Sequence, residues 1–241
     1  MANRVISSIF KFLRNVFIYF FTISVLLVII FRWLPVPFTP LMIIRCTEQI
    51  SNGETLKLNK NWEPIDNISN KLQLAVVCTE DQNFLTHNGF DFGAIKKAIN
   101  ENKWKRRKRG ASTISQQTAK NLFLWQGRSW IRKGFEVYFT FLIETFWTKQ
   151  RIMEVYLNII EMGDGVYGAE AASQYYFGKN AANLSSSEAA LIAVILPNPL
   201  KFSASHPSRY VLKRKKFAMR QMNYWGGVLD YDNPPEMKNF D

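Results

Sequence analysis

The run Asn15 to Phe31 (NVFIYFFTISVLLVIIF) carries no charged side chain and is apolar almost throughout. A helix of that length spans about 26 Å, slightly short of a ~30 Å hydrocarbon core, and only a helix satisfies its own backbone there. Arg14 and Arg32 can snorkel from either end, and Trp33 suits the interface, so the expected span is residues 15–33. A cleaved signal peptide fits less well, because the run is long for such a segment and no small-x-small site follows it. Arg4, Lys11 and Arg14 precede the run, whereas Arg32 alone follows it closely. This charge bias predicts a cytoplasmic tail over residues 1–14, with the rest of the chain on the outer side.

Pro35, Pro37 and Pro40 cannot continue the helix, so residues 34–70 read as a stiff connector and lead-in, and residues 71–241 as one domain. A formal charge of +12 calls for an anionic partner: a membrane surface, a phosphorylated substrate or nucleic acid. A domain held outside the cytoplasm is a poor nucleic-acid binder. The run Lys103 to Gly110 (KWKRRKRG) has the form of a nucleic-acid patch, yet on such a domain it suits anionic headgroups, a diphosphate or plain solvent. Two cysteines, Cys46 and Cys78, are too few for a disulfide framework and lack metal-ligand spacing. They could pair, or Cys78 could be a small core residue.

From Leu72 onward the pattern is mainly helical. Leu74, Val77, Asp81 and Phe84 follow three-and-four spacing, as do Phe135, Phe139, Leu142, Ile143 and Phe146. Ser185 with Glu188 forms a capping-box signature ahead of an apolar run closed by Pro197. If the first helix continues, Glu80 shares a face with Phe84 and His87, a setting that raises a carboxyl pKa and suits proton uptake. A second acid, Glu136, follows Arg132 and Lys133 by one helical turn, the opposite electrostatic setting.

Three segments carry a family resemblance: EDQNFLTHNGFD (Glu80 to Asp91), GASTISQQTAKN (Gly110 to Asn121) and RKGFE (Arg132 to Glu136). They resemble the motifs ED-x-x-F-x-x-H-x-G-x-D, G-x-S-T-I-x-Q-Q-x-x-K-N and R-K-x-x-E of the peptidoglycan glycosyltransferases, glycosyltransferase family 51. The likeness extends from about Leu72 to Pro199. It implies a mainly α, lysozyme-like glycosyltransferase domain behind one transmembrane helix, as in monofunctional biosynthetic members. It further implies that lipid II is polymerised by inverting transfer of the lipid-diphosphate-linked glycan to an acceptor 4-hydroxyl, with release of polyprenyl diphosphate.

By the same resemblance Glu80 is the general base and Glu136 the second catalytic acid. Lys120, Arg128, Arg132 and Lys133 then converge on diphosphate, while Ser112, Thr113, Gln116, Gln117 and Asn121 hold sugar and phosphate oxygens or fix one another. Asp81 and His87 support the base. The motifs single out no cofactor, although a divalent cation such as Mg suits a diphosphate. The implied partners are lipid II, the nascent glycan strand and the membrane, with cell-wall synthesis proteins as further candidates and no nucleic acid. The implied location is a bacterial inner membrane, single-pass, with the catalytic domain periplasmic. The alternative reading is a lytic transglycosylase or lysozyme-type hydrolase, which shares a catalytic glutamate but needs no cation-lined diphosphate site. A non-catalytic membrane scaffold is the second alternative.

Overall fold

The computed structural model describes residues 2–104 and 110–233, with side chains from residue 6 onward; most of the basic run, 105–109, lies outside the described residues. The chain divides into two units at Pro35 and Val36. In the first, helix α1 (Ala2–Ile30) begins well before Asn15 and ends short of Trp33, because residues 2–14 contain neither Gly nor Pro to break it. Its stretch Ile6–Ile30 is long and apolar enough to cross a membrane.

The second unit is mainly helical. Helix α2 (Pro40–Ser51) lies within the connector and lead-in: Pro40 stands at the first helical position, where its missing N–H has no partner to lose, and Thr39 caps it by accepting from Met42 N–H. Helix α3 (Asn70–Glu80) is followed by α4 (Phe92–Asn102), α5 (Ile114–Phe123), α6 (Trp130–Phe146) and α7 (Lys149–Ile159). Then come α8 (Ala169–Phe177), α9 (Ser186–Ile195) and α10 (Arg209–Tyr224). The side chains of Asp91, Thr113, Ser129, Thr148, Ser185 and Ser208 each accept a backbone N–H at the start of the helix they precede. Ser185 and Glu188 form the expected capping box.

Strands β1 (Asn59–Lys60), β2 (Glu161–Gly163) and β3 (Val166–Tyr167) make one small sheet in the order β1-β3-β2. β1 runs parallel to β3, with Asn59 opposite Val166, and β2 runs antiparallel to it.

Helix α3 is the axis of this unit. Leu72, Leu74, Ala75, Val76, Val77 and Cys78 are all buried, so the helix is covered nearly all round by α9 and α10, as apolar helices in a core must be. Large aliphatic side chains buried this way contribute roughly 1.5–3 kcal/mol each. Helix α5 packs between α6 and α7. Small residues allow close approach around α8, where Ala169, Ala171, Ala172 and Ser173 are buried. Cys46 and Cys78 are both free thiols, and burial pushes the Cys78 thiol up to about 12, which suits an inert core residue.

Candidate active site

Helix α3 stops at Glu80, so Glu80, Phe84 and His87 do not share a helix face as their spacing suggests. Asp81 leaves the helical conformation with φ −159°, and turns carry the chain to His87. The reason is a polar knot. Asp81 is buried and accepts Ile114 N–H at 2.9 Å, the first N–H of α5, while both its oxygens lie 3.0 Å from His87 Nε2. Gly89 N–H donates to His87 Nδ1 at 3.1 Å, which assigns the ring proton to Nε2 and makes it a donor to Asp81. Thr113 Oγ1 in turn donates to Gly89 O at 2.7 Å.

Gly89 sits at φ +85°, and a Cβ there would stand 2.9 Å from the Thr140 methyl, so only glycine fits. Below the knot, Lys149 Nζ donates to His87 O and to Glu144 at 2.8 Å, and Ser115 Oγ also donates to Glu144. The Lys149 ammonium lies 4.9 Å over the Phe84 ring. The loop of the first motif is thereby fastened to the start of α5.

That fastening fixes what α5 presents. Thr113 and Gln116 are engaged in a capping box, with Thr113 N–H to Gln116 Oε1 at 3.1 Å, so their polar atoms hold the helix start. Gln117 Nε2 donates to Glu80 Oε2 at 3.0 Å, and Tyr156 OH contacts Gln117 Oε1 at 3.4 Å. Lys120 follows Gln117 by three residues and shares its face. Asn121 is buried, whereas Ser112 and Arg128 are exposed in the loops flanking α5.

On α6 Glu136 is 4 % exposed and pairs with both preceding cations, Arg132 Nη1 at 3.0 Å and Lys133 Nζ. Arg132 Nε is buried without an acceptor among the described residues.

The two acids occupy different electrostatic settings. Burial pushes the Glu80 carboxyl above the usual carboxylate range and Asp81 adds to this, while the hydrogen bond from Gln117 and the charges of Arg214 and Lys120 pull it back. Burial lowers the Lys120 ammonium below an ordinary lysine, against the pull of Glu136 and Glu80, and Arg132 and Lys133 lower it further. Lys120 thus lies within electrostatic reach of both acids and of both Glu136 partners. Among the described residues no three His, Cys, Asp or Glu side chains gather to hold a metal ion, and Glu136 already faces two cations.

Sequence reasoning missed Arg214 on α10, Tyr156 on α7, and the contact between Gln82 Nε2 and Gln221 Oε1 at 3.4 Å. No motif marks them: Arg214 is one of several cations in KRKK, and only packing of α10 on α3 turns it toward Glu80.

A family model described as Transglycosylase matches residues 48–223. A protein of Bacteroides thetaiotaomicron called biosynthetic peptidoglycan transglycosylase is 56% identical over 218 residues, covering 90% of this chain and 88% of that protein. Proteins with the same name are 50% identical over 222 residues in Pseudomonas putida (92% of this chain, 94% of that one) and 52% identical over 206 in Bdellovibrio bacteriovorus (86% and 82%).

The Asp81 knot makes a direct prediction. Asp81→Ala leaves the Ile114 N–H and the His87 N–H buried without an acceptor, at about 1–3 kcal/mol each. The melting temperature in detergent should fall by several degrees, and Asp81→Glu should not restore it, since the longer side chain misplaces both acceptors. Unchanged melting of Asp81→Ala would show that the knot holds nothing together.

Proposed function

We propose a division of labour at this site from the premise that the chain belongs to the transglycosylase family: it is a peptidoglycan glycosyltransferase, and it builds glycan strands from lipid II. None of the three relatives' names supports the lytic alternative. In the proposed step Glu80 accepts the proton of the acceptor 4-hydroxyl as that oxygen attacks the donor's anomeric carbon. The bond from that carbon to the diphosphate oxygen breaks on the opposite face, inverting the centre, and the polyprenyl diphosphate leaves as an anion.

A carboxyl held above its usual range by burial is a stronger base than an exposed one, and the bond from Gln117 to Oε2 fixes how the carboxylate is turned. A diphosphate needs no proton to leave; it needs positive charge. Lys120, Arg132 and Lys133 supply it, with Arg128 on the loop before α6, and the buried Arg132 Nε is a donor suited to a phosphate oxygen. Glu136 holds Arg132 and Lys133 in place and is the second acid of the site. Ser112 and Asn121 remain candidates for sugar and phosphate oxygens. The observation that carries this reading is Lys120, which feels the charge of two acids, one desolvated and the other ion-paired.

The single apolar helix α1 fits a single-pass anchor. We assign it to a bacterial inner membrane with residues 34–241 in the periplasm, on the strength of Lys11, Arg14 and Arg4 ahead of the apolar run. Trp130 and Ile131, just ahead of Arg132 and Lys133, are 92% and 72% exposed. Apolar side chains beside the diphosphate cations fit a substrate whose polyprenyl tail stays in the bilayer. Cell-wall synthesis proteins remain candidate partners.

Labelled lipid II, polymerised and resolved by gel with and without a muramidase, tests substrate, reaction and product together. The wild type should give a muramidase-sensitive ladder. Glu80→Gln should lower the rate on the order of 10²- to 10⁴-fold while leaving melting nearly unchanged. A well-folded Glu80→Gln protein with wild-type turnover removes Glu80 from the mechanism.

The pH profile carries its own sign. The base works deprotonated, so the acid limb of kcat/KM follows the Glu80 carboxyl. Gln117→Leu deletes a hydrogen bond that favours the carboxylate, so the limb should move to higher pH; a limb that stays or moves down contradicts the assignment.

A further inference from the structure

Helix α10 buries Val211, Ala218 and Met222 against α3 and α9, which leaves an outer face with an ordered pattern. Tyr210 and Phe217, 46% and 42% exposed, are seven residues apart and stand on one row. Three residues beyond each ring comes a cation, Lys213 and Arg220, and one residue before each comes another, Arg209 and Lys216. All four cations are exposed or half-buried, and none is in an ion pair with a described residue.

The inner flank of the ring row is the active site itself. Arg214 and Gln221 each follow a ring by four residues, so they neighbour the rings on the side opposite Lys213 and Arg220. Arg214 acts on the Glu80 carboxylate, and Gln221 meets Gln82. A ribbon therefore leads outward from the base: cation and amide first, then rings, then a row of cations.

We propose that this face of α10 is a track for the peptide-bearing glycan strand, which rests on the reading of Glu80 as the base of a peptidoglycan glycosyltransferase. The polymer carries two chemistries that match the two rows. Sugar rings offer C–H faces that stack on aromatic side chains, and stem peptides end in carboxylates that pair with Lys and Arg. An anionic lipid surface would also meet the cations, but the ribbon starts at the residues flanking Glu80, where sugars must lie.

The test uses the full-length protein in detergent and soluble, uncrosslinked glycan strands, either peptide-bearing or stripped of stem peptides by an amidase. Lys213→Gln/Arg220→Gln should bind peptide-bearing strands about tenfold more weakly than wild type and stripped strands equally well. Tyr210→Ala/Phe217→Ala should weaken binding to both. Both variants should keep near wild-type initial rates on lipid II, which reports an intact fold and base, while releasing shorter products. A wild type that fails to polymerise lipid II overturns the reading of the site, independently of the track. With polymerisation intact, the track is overturned if both variants bind strands as the wild type does. It is equally overturned if the cation variant loses binding only to phosphatidylglycerol vesicles and not to strands.

Discussion

The Asp81 carboxylate determines where everything else at the site stands. It ends α3 at Glu80, takes the first N–H of α5 and orients His87, so Glu80, the proposed general base, and α5 are joined through one buried side chain. An anion at a helix start is favoured by the helix dipole as well as by the hydrogen bond, typically by 0.3–1 kcal/mol when exposed and more when partly buried. Because the join lies at the first residue of α5, Gln117 and Lys120 inherit their positions from it by helical geometry alone. His87 is tied into this join on both ring nitrogens, through Asp81 and Gly89.

The same architecture separates the roles of two carboxylates by environment. Glu80 closes a helix covered by apolar neighbours, and desolvation holds its proton affinity up. Glu136, buried at 4 % exposure, is met by Arg132 and Lys133 from its own helix. One acid is thus equipped to exchange a proton and the other to order charge, which is what transfer from a diphosphate donor asks of a site. Desolvated Lys120 lies within the electrostatic reach of both acids and so couples the two settings.

Features that depend on local chemistry were legible in the sequence. The Ser185–Glu188 capping box, the helical character and the pairing of Glu136 with cations three and four residues earlier follow from spacing. Glu80 and Gln117 were legible as candidate site residues only through the family motifs, and their contact is a tertiary fact. The break after Glu80 was not legible, because three-and-four spacing continues through Phe84 while the decisive partner, Ile114 N–H, lies 33 residues away. Thr113 and Gln116 read in the motif as residues that hold sugar and phosphate oxygens or fix one another, and in the fold their polar groups close a cap on each other. Arg214 was hidden among like cations, since only the packing of α10 distinguishes it.

The central claim is that burial, tempered by Gln117, Arg214 and Lys120, sets Glu80 apart from an ordinary carboxylate. Carbon-13 NMR of protein labelled at the glutamate side-chain carboxyls, titrated with pH and compared with Glu80→Gln to assign the signal, measures this directly. The account predicts that the resonance lost in Glu80→Gln titrates clearly above the ordinary glutamate value of about 4.3. A Glu80 carboxyl titrating at or below that value would contradict it.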